Sequence, residues 1–320
     1  MRFVPATIAA ALLLGQAAPA DPPGDEVPIT ALIEQLDDDD FHVRQRATTL
    51  LSLAGEAAVA PLSDTLKDGS PEQRTRAAAA LRLIQTRRMG KAFRKLGEQD
   101  EKELGVEQGM VLIAQILDPE VTAESIATRL DQMAGAVRKA AGQGIGIETL
   151  DGTELVDLIV DVLGTELGFE VDEETYDHPD NSSIHRVLEQ KDGLPIMLSE
   201  IAVAIGRRLE IPIAGVAVPR NYMFKYDGSQ APEGLPQEDV IVDTRAGWKV
   251  KSADLISQRW GFAPQDLEPS KPRATIERML NNLESDFEAV GQHRRAAEVR
   301  SYRAIFLAPA PRSPAADQDR

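Results

Sequence analysis

The sequence predicts an α+β protein with helical segments at both ends of the chain. Three observations support this fold class: an N-terminal pattern recurs every thirty residues at helical spacing, a later segment is apolar almost all round, and three strand-like runs follow it. A buried helix followed by antiparallel strands is typical of an α+β domain. The composition agrees, because 42% hydrophobic and 27% charged residues in a chain of 320 are ordinary for a globular protein.

The net charge and the lack of cysteine exclude several classes of function. The formal net charge is −17 at pH 7, which repels nucleic-acid phosphates and anionic lipid head groups. The chain contains no cysteine, so it has no disulfide, no thiolate metal site and no cysteine nucleophile. We therefore expect no nucleic-acid partner, and nothing in the sequence points to a cofactor.

Residues 1–20 have the three-part layout of a secretory signal. Arg2 precedes an apolar run at 8–14, and small residues occupy positions 18–20. The run is too short to span a bilayer comfortably. We expect cleavage before Asp21, a periplasmic or secreted protein, and no membrane insertion after cleavage.

The segment 28–86, which follows a predicted linker at 21–27, contains a repeated pattern. The motif R-x-R-A-x-x-x-L begins at Arg44 and again at Arg74, and its apolar positions recur at helical spacing. Each copy is predicted to be a helix pair, and the segment resembles HEAT-type repeats. Two interpretations stay open: a protein-binding surface, or a helical cap on the next domain.

The rest of the chain divides into four further segments. Charged residues become more frequent and the apolar periodicity weakens over 87–104, which predicts a helical connector. An α+β domain is predicted at 105–270, a helix pair at 271–309 and a disordered tail at 310–320. Within the domain we predict helices at 110–117, 123–140, 153–167, 184–189 and 196–209, and strands at 213–218, 221–226 and 240–242.

The run from Tyr176 to Lys225 carries a family resemblance. It begins Y-D-x-P-x-N-S-x-x-x-x-V-L-x-x-x-x-G-x-P-I-x-L-S and ends in R-R-L-x-I-P-I-x-G-V-x-V-P before Lys225. It resembles the SirB-type branch of the bacterial transglutaminase-like superfamily, and the resemblance extends over roughly 105–309. It implies a papain/transglutaminase-like core and, after residue 271, a tetratricopeptide-like helix pair.

In catalytic members the resemblance implies a Cys-His-Asp triad for acyl transfer or amide hydrolysis, in which a histidine takes the thiol proton and a carboxylate orients the histidine. The three positions fall on Pro195, Asn221 and Asp243. Proline has no nucleophile, and asparagine does not titrate near neutral pH. Some SirB-type sequences also carry proline at the first position, so the missing histidine is the stronger indication of a non-catalytic protein.

We therefore predict that the former cleft binds a protein or a peptide-like ligand. Two alternatives stay open. One is an amidase or peptidase-like hydrolase that uses non-standard residues near Asp243, such as Asn221 and Glu200; the other is a purely structural helical-repeat scaffold. Ser199 lies one helical turn after Pro195 and is expected to face the core or the sheet. The candidate cleft residues are Asn181, Ser182, Gly193, Pro195, Asn221 and Asp243.

No metal site is predicted. His178 and His185 flank the Asn181 loop but match no zinc signature, so we interpret them as a loop residue and a helix-surface residue. The aspartates at 37–40 lack the spacing and the glycine of an EF-hand and are interpreted as a helix cap.

The helix pair at 271–309 is expected to dock on the domain before it. Its apolar positions form a stripe that two helices cannot bury alone. These positions are Ile276, Met279, Leu280, Leu283 and Phe287.

Overall fold

The computed structural model describes residues 27–142, 146–252, 256–258, 261 and 267–308. The predicted signal at 1–20, nearly all of the linker and the predicted tail at 310–320 lie outside these residues. The chain divides into two compact units, of which the first ends at Ile84 and the second begins at Gln85. No helix in the described ranges is both long and apolar enough to cross a membrane.

The first unit is helical, as predicted. It contains α1 (Ile29–Glu34), α2 (Phe41–Ala54), α3 (Glu56–Asp68) and the start of α4 (Pro71–Gly97). The Asp40 carboxylate caps α2 by accepting a hydrogen bond from the backbone N–H of His42 at 2.7 Å. The apolar positions of the recurring motif pack inward. The core consists of Leu32, Leu36, Ala47, Leu51, Ala58, Leu62, Ala77, Ala80 and Ile84.

Residues 87–97 of the predicted helical connector belong to α4, which is continuous to Gly97. Met89, Phe93 and Leu96 are buried in the core of the second unit. The Phe93 ring stacks on Tyr302, with centroids 4.8 Å apart. These apolar residues follow the 4-and-3 spacing of one helix face, a signal that the surrounding charged residues obscure.

The helices of the second unit begin with α5 (Val106–Leu117), α6 (Ala123–Ala140) and α7 (Gly152–Val160). Helix α6 has the predicted bounds. Helix α7 is shorter than expected because its C-terminal end is a π-helical turn at Asp161–Glu166, after which Gly168 adopts a φ of +71°.

The strands form two sheets. The first pairs β1 (Glu170–Val171) in parallel with β2 (Asp192–Gly193). The second is antiparallel with the order β3-β4-β5-β6. Its strands are β3 (Ile213–Val218), β4 (Asn221–Tyr226), β5 (Val240–Asp243) and β6 (Lys249–Ser252). Strands β3 and β4 have the predicted bounds, β5 is one residue longer than predicted, and β1, β2 and β6 had not been predicted.

The α+β prediction is confirmed by the way α9 packs on this sheet. A short helix, α8 (Ile184–Gln190), precedes α9 (Pro195–Leu209), which contacts both β3 and β4. Pro195 occupies the first turn of α9, where its missing N–H breaks no hydrogen bond. Helix α9 is buried on almost all sides, as its apolar sequence predicts.

The chain continues with α10 (Pro272–Ala289) and α11 (His293–Leu307). All five positions of the predicted apolar stripe on α10 are buried, and α10 packs against α5. The contact is close: a Cβ on Gly109 of α5 would lie 2.7 Å from Cγ1 of Ile276. The helix pair therefore shares the core of the second unit, as expected.

Candidate functional site

The structure brings Asn221 and Asp243 together at one end of the sheet. Asn221 is the first residue of β4 and Asp243 is the last residue of the neighbouring strand β5. The Asn221 side-chain amide donates a hydrogen bond from Nδ2 to Oδ1 of Asp243 at 2.9 Å. Two of the three positions assigned by the family resemblance are thus in direct contact.

The remaining hydrogen-bonding capacity of this pair is largely occupied. Lys251 of β6 donates from Nζ to Oδ2 of Asp243 at 2.5 Å. The backbone N–H of Ala246 donates to Oδ1 at 3.3 Å, and the Asp243 side chain is only 5% exposed. The Asn221 Oδ1 accepts from the backbone N–H of Tyr222 at 2.9 Å. The amide is therefore fixed in orientation between a carboxylate and a backbone donor.

A cavity of about 540 Å³ opens beside this pair. The tip of the β3–β4 hairpin and the turn after β5 form its walls. The lining residues are Val218, Pro219, Arg220, Asn221, Asp243, Arg245 and Ala246.

Two arginines line the cavity and a third, Arg278, contacts the backbone of its hairpin wall; the sequence analysis did not identify any of them. Arg220 lies in the hairpin turn and is exposed. Arg245 donates to the Glu173 carboxylate at 3.1 and 3.3 Å and lies 4.9 Å from the centroid of the Tyr176 ring. Arg278 reaches the hairpin from α10, a helix too distant in sequence to be connected with it by any motif.

Pro195 is buried and does not line the cavity. Its helix, α9, contacts the Thr244–Ala246 turn that follows Asp243. The first family position is therefore on a helix that packs beside the site, and the ring of Pro195 leaves the start of that helix without one backbone N–H.

The other candidate cleft residues hold a loop together. Asn181 donates from Nδ2 to Asp172 at 2.9 Å and to the carbonyl of Thr175 at 2.7 Å. Gly193 forms part of β2, where a Cβ would contact Val187 at 2.6 Å. Both residues are buried and neither lines the cavity.

Ser182 links the same loop to the C-terminal helix pair. Its hydroxyl donates to Oδ2 of Asp286 at 2.7 Å. Burial raises the pKa of Asp286 to about 7, an effect that the Ser182 hydrogen bond opposes and that the nearby charge of Asp177 reinforces. Ser182 therefore acts in packing α10 against the loop, away from the cavity.

Of the residues named for the hydrolase alternative, Asn221 and Asp243 line the cavity, whereas Glu200 is buried between α9 and the sheet. Ser199 is fully buried and donates to the backbone carbonyl of Tyr222 at 3.3 Å, which confirms that it faces the sheet. Glu200 accepts a hydrogen bond from the Tyr222 hydroxyl at 2.6 Å. Burial raises the pKa of Glu200 to about 7, against the lowering effects of Tyr222 and Arg207.

Gly215 on β3 lies beside the Glu200–Tyr222 pair and has no side chain that would overlap it. A Cβ at position 215 would lie 2.5 Å from Oε1 of Glu200 and closer still to the Tyr222 hydroxyl. The pair therefore requires a residue without a side chain at this point of the sheet.

The histidines remain isolated from one another. His178 is half-exposed in the loop, and His185 lies on α8 with Nε2 3.6 Å from a carboxylate oxygen of Glu189. Within the ranges that the structure describes, no group of three or more potential ligands is arranged to hold a metal ion.

Comparison with known proteins identifies the class of domain. Residues 124–281, which include α6 to α9, the four-stranded sheet and half of α10, match the transglutaminase-like superfamily. The chain therefore contains a transglutaminase-like domain.

The most similar curated proteins found include members of one group, the UPF0162 proteins. One from Xylella fastidiosa is 30% identical over 144 residues, covering 41% of this chain and 48% of the relative. One from Pseudomonas aeruginosa is 25% identical over 135 residues, covering 40% and 47%. The match thus spans about half the length of these relatives. No solved structure matches the chain.

Proposed function

We propose that this chain is a non-catalytic transglutaminase-like protein whose cleft, formed around Asn221 and Asp243, binds a protein or peptide-like ligand. The observation that carries the proposal is the hydrogen bond from the Asn221 amide to Asp243. In the catalytic arrangement that the family resemblance implies, the group beside this carboxylate is an imidazole that accepts a proton. An amide nitrogen does not accept one.

The chemistry of the site supports binding over catalysis. General acid–base work contributes about 100-fold to 10,000-fold to a rate, and Asn221 removes it. Pro195 removes the nucleophile and a backbone donor that would assist an oxyanion. Asp243 accepts hydrogen bonds from Lys251, Asn221 and a backbone N–H, which suits a fixed electrostatic anchor.

In the hydrolase alternative, Asn221 and Asp243 line the cavity but are hydrogen-bonded to each other, and Glu200 does not line the cavity. Glu200 and Ser199 are buried between α9 and β4 and do not line the cavity. Substrate would have to separate the helix from the sheet to reach them. The scaffold alternative differs from the proposal only in leaving the cavity empty, and a binding measurement separates the two.

Three finer assignments belong to the same proposal. The transglutaminase-like domain is of the SirB type, the α1–α4 segment is a pair of HEAT-like repeats, and α10 and α11 are a tetratricopeptide-like pair. The supporting observations are the sequence motifs, the inward packing of the recurring alanines and leucines, and the antiparallel contact between α10 and α11. We further propose that the protein is exported and that the mature chain is periplasmic or secreted.

An activity assay tests the non-catalytic assignment. We would assay the wild type, Asp243→Ala and the double variant Pro195→Cys with Asn221→His on a panel of acyl and amide substrates. Asp64→Ala, which removes an exposed carboxylate from α3, is the matched control. The proposal expects no turnover by the wild type. Turnover that is abolished by Asp243→Ala and kept by Asp64→Ala would establish the hydrolase alternative.

A further inference from the structure

We propose that the cleft recognises a carboxylate group of its ligand and that Arg220 and Arg245 bind that group. This inference rests on the proposed binding function and adds the chemical class of the group that is recognised. The carboxylate belongs either to the C-terminus of a peptide or to an acidic side chain, and the experiment below separates these two sources.

The first step is the contrast between the charge of the cleft and that of the chain. The whole protein carries a formal net charge of −17. The cavity is lined by two arginines and one carboxylate, Asp243, whose charge is matched by Lys251. A concave site with excess positive charge concentrates anions locally, even on an acidic protein.

Arg278 adds positive charge behind the hairpin. Its guanidinium donates to the backbone carbonyls of Val218 and Asn221 at 3.1 and 2.9 Å, so its hydrogen bonds go to neutral groups. Burial lowers the pKa of Arg278, against the raising effects of Tyr222, Tyr176 and Glu277.

The backbone of Arg220 gives the second, independent observation. Val218 pairs with Asn221, so Pro219 and Arg220 form a two-residue hairpin turn. Proline fixes a negative φ at the first position and Arg220 has a φ of +62°, the combination of a type II turn. Glycine is the usual residue at that second position because a side chain is strained there. The chain keeps an arginine where glycine would fit without strain.

The side chain of Arg220 has no competing partner among the described residues, since no ion pair or hydrogen bond involves it. Arg245 has one, Glu173, but both of these side chains are well exposed, at 40% and 56%. An exposed ion pair contributes little stability. Arg245 can therefore bind a ligand carboxylate in place of Glu173 or together with it. The planar guanidinium fork matches a carboxylate in two-point geometry, and the cavity places one fork on each of two walls.

The experiment uses the full chain and three pools of N-acetylated tetrapeptides. The first pool has free C-termini and no acidic side chains, the second has amidated C-termini with one Asp or Glu, and the third has amidated C-termini and no acidic residue. Binding is followed in ¹⁵N-labelled protein by the side-chain signals of Asn221 and Arg245. We expect one of the two carboxylate pools to bind about tenfold more tightly than the neutral pool.

Four variants locate the effect. Arg220→Gly removes the cation and relieves the backbone, so it should keep the melting temperature and weaken binding of the carboxylate pool several-fold. Arg245→Gln should weaken it similarly. Arg46→Gln removes the same charge from an exposed position on α2 and should leave binding unchanged. Ala246→Trp fills the cavity and should abolish binding of every pool.

The outcomes distinguish this inference from the function on which it rests. Equal binding of all three pools, lost in Ala246→Trp but kept in Arg220→Gly and Arg245→Gln, overturns the carboxylate inference and leaves the binding function standing. If none of the three pools binds, both the carboxylate inference and the proposed binding function are overturned. If Arg46→Gln weakens binding of the carboxylate pool as much as Arg220→Gly does, the effect comes from the net charge of the protein. This outcome also overturns the inference.

Discussion

At the scale of single residues, Glu200 is the most unusual group in the described core. It is buried against β4, and among the described residues its carboxyl group has one hydrogen-bond partner, the Tyr222 hydroxyl. Burial favours the protonated carboxyl, and the pKa of Glu200 is raised from 4.5 to about 7. The native state thus holds a proton that the unfolded chain releases at lower pH.

We predict that Glu200→Gln stabilises the protein at pH 8 and flattens its pH dependence. Because the folded pKa exceeds the unfolded one, the contribution of Glu200 is fully present below pH 4.5 and is lost as the pH rises to about 7. The loss amounts to at most about 3 kcal/mol, and an uncharged amide avoids it. Urea unfolding from pH 4.5 to 8 measures the effect.

Asp286 supplies the comparison for that experiment. Its pKa is raised in the same direction, to about 7, so the wild type loses stability over this range from two groups. In Glu200→Gln the part that comes from Asp286 should remain. A variant with the same pH slope as the wild type would show that Glu200 titrates normally in the fold.

Some residue positions were predictable from the local sequence and others were not. That Ser199 faces the sheet follows from its spacing to Pro195 on one helix, and the structure agrees. The arginines of the cleft had no such signal. Arg278 is placed at the hairpin by the tertiary packing of α10, and Arg220 by a turn that its residue type disfavours. Asn181 belongs to the recognisable Asn-Ser motif, but its side chain hydrogen-bonds within the loop and does not line the cavity.

At the scale of secondary-structure elements, boundaries were predictable where periodicity was strong. Helix α6 and strands β3 and β4 begin and end where their apolar patterns do. Strands β1 and β2 have two residues each, too few for a pattern, and β6 is a Lys-Val-Lys-Ser run with two charges. The π-helical turn after α7 depends on packing, which helical spacing does not encode.

The contact between α5 and α10 gives a testable prediction. We expect Gly109→Ala to lower the free energy of unfolding by about 1–2 kcal/mol, because the new methyl would overlap Ile276 and overpacking outweighs the gain in helix propensity. Gly135→Ala on α6 is the control, since no atom lies within 4 Å of the added carbon. It should raise stability by about 0.5–1 kcal/mol. Thermal and urea unfolding of both variants measure the difference.

A double variant tests the cause. Ile276→Ala alone should cost about 2–5 kcal/mol. In combination with Gly109→Ala the cost should be smaller than the sum of the two single effects, because the small side chain makes room for the methyl. Strict additivity would mean that the two positions do not meet.

Truncation tests the docking of the whole helix pair. Removal of the chain from Arg273 onward exposes the surface that α10 covers, and each buried large side chain on α10 is worth about 1.5–3 kcal/mol. We expect a clearly lower melting temperature or loss of cooperative unfolding. Removal of 309–320 alone is the control and should leave the melting curve unchanged. An unchanged curve for the longer truncation would make the pair an independent appendage.

At the scale of the whole molecule, the α+β class was predictable because it depends on patterns longer than ten residues. The burial of Met89 and Phe93 in the core of the second unit was not predicted, since these apolar residues of α4 are spread among basic residues. The cavity lies beside Asn221 and Asp243, two of the six residues predicted to line a cleft, and the other four do not line it. Its charge depends on residues from three separate segments.

The export proposal is also tested on the whole chain. We predict that natively produced protein is recovered outside the cytoplasm and that its intact mass corresponds to a chain beginning at Asp21. The physical reason is the small-residue site at 18–20 after a short apolar run. Cytoplasmic recovery of protein that retains Met1 would contradict it.

The space beside Gly215 has a consequence for how this sequence can evolve. Glu200 and Tyr222 occupy the volume that a side chain at 215 would need, so these positions constrain one another although they lie on three different elements. A lineage that shortens both Glu200 and Tyr222 first frees position 215 to accept alanine, whereas the reverse order passes through an overpacked intermediate. Among descendants of this chain, replacement of these two side chains should therefore precede loss of the glycine.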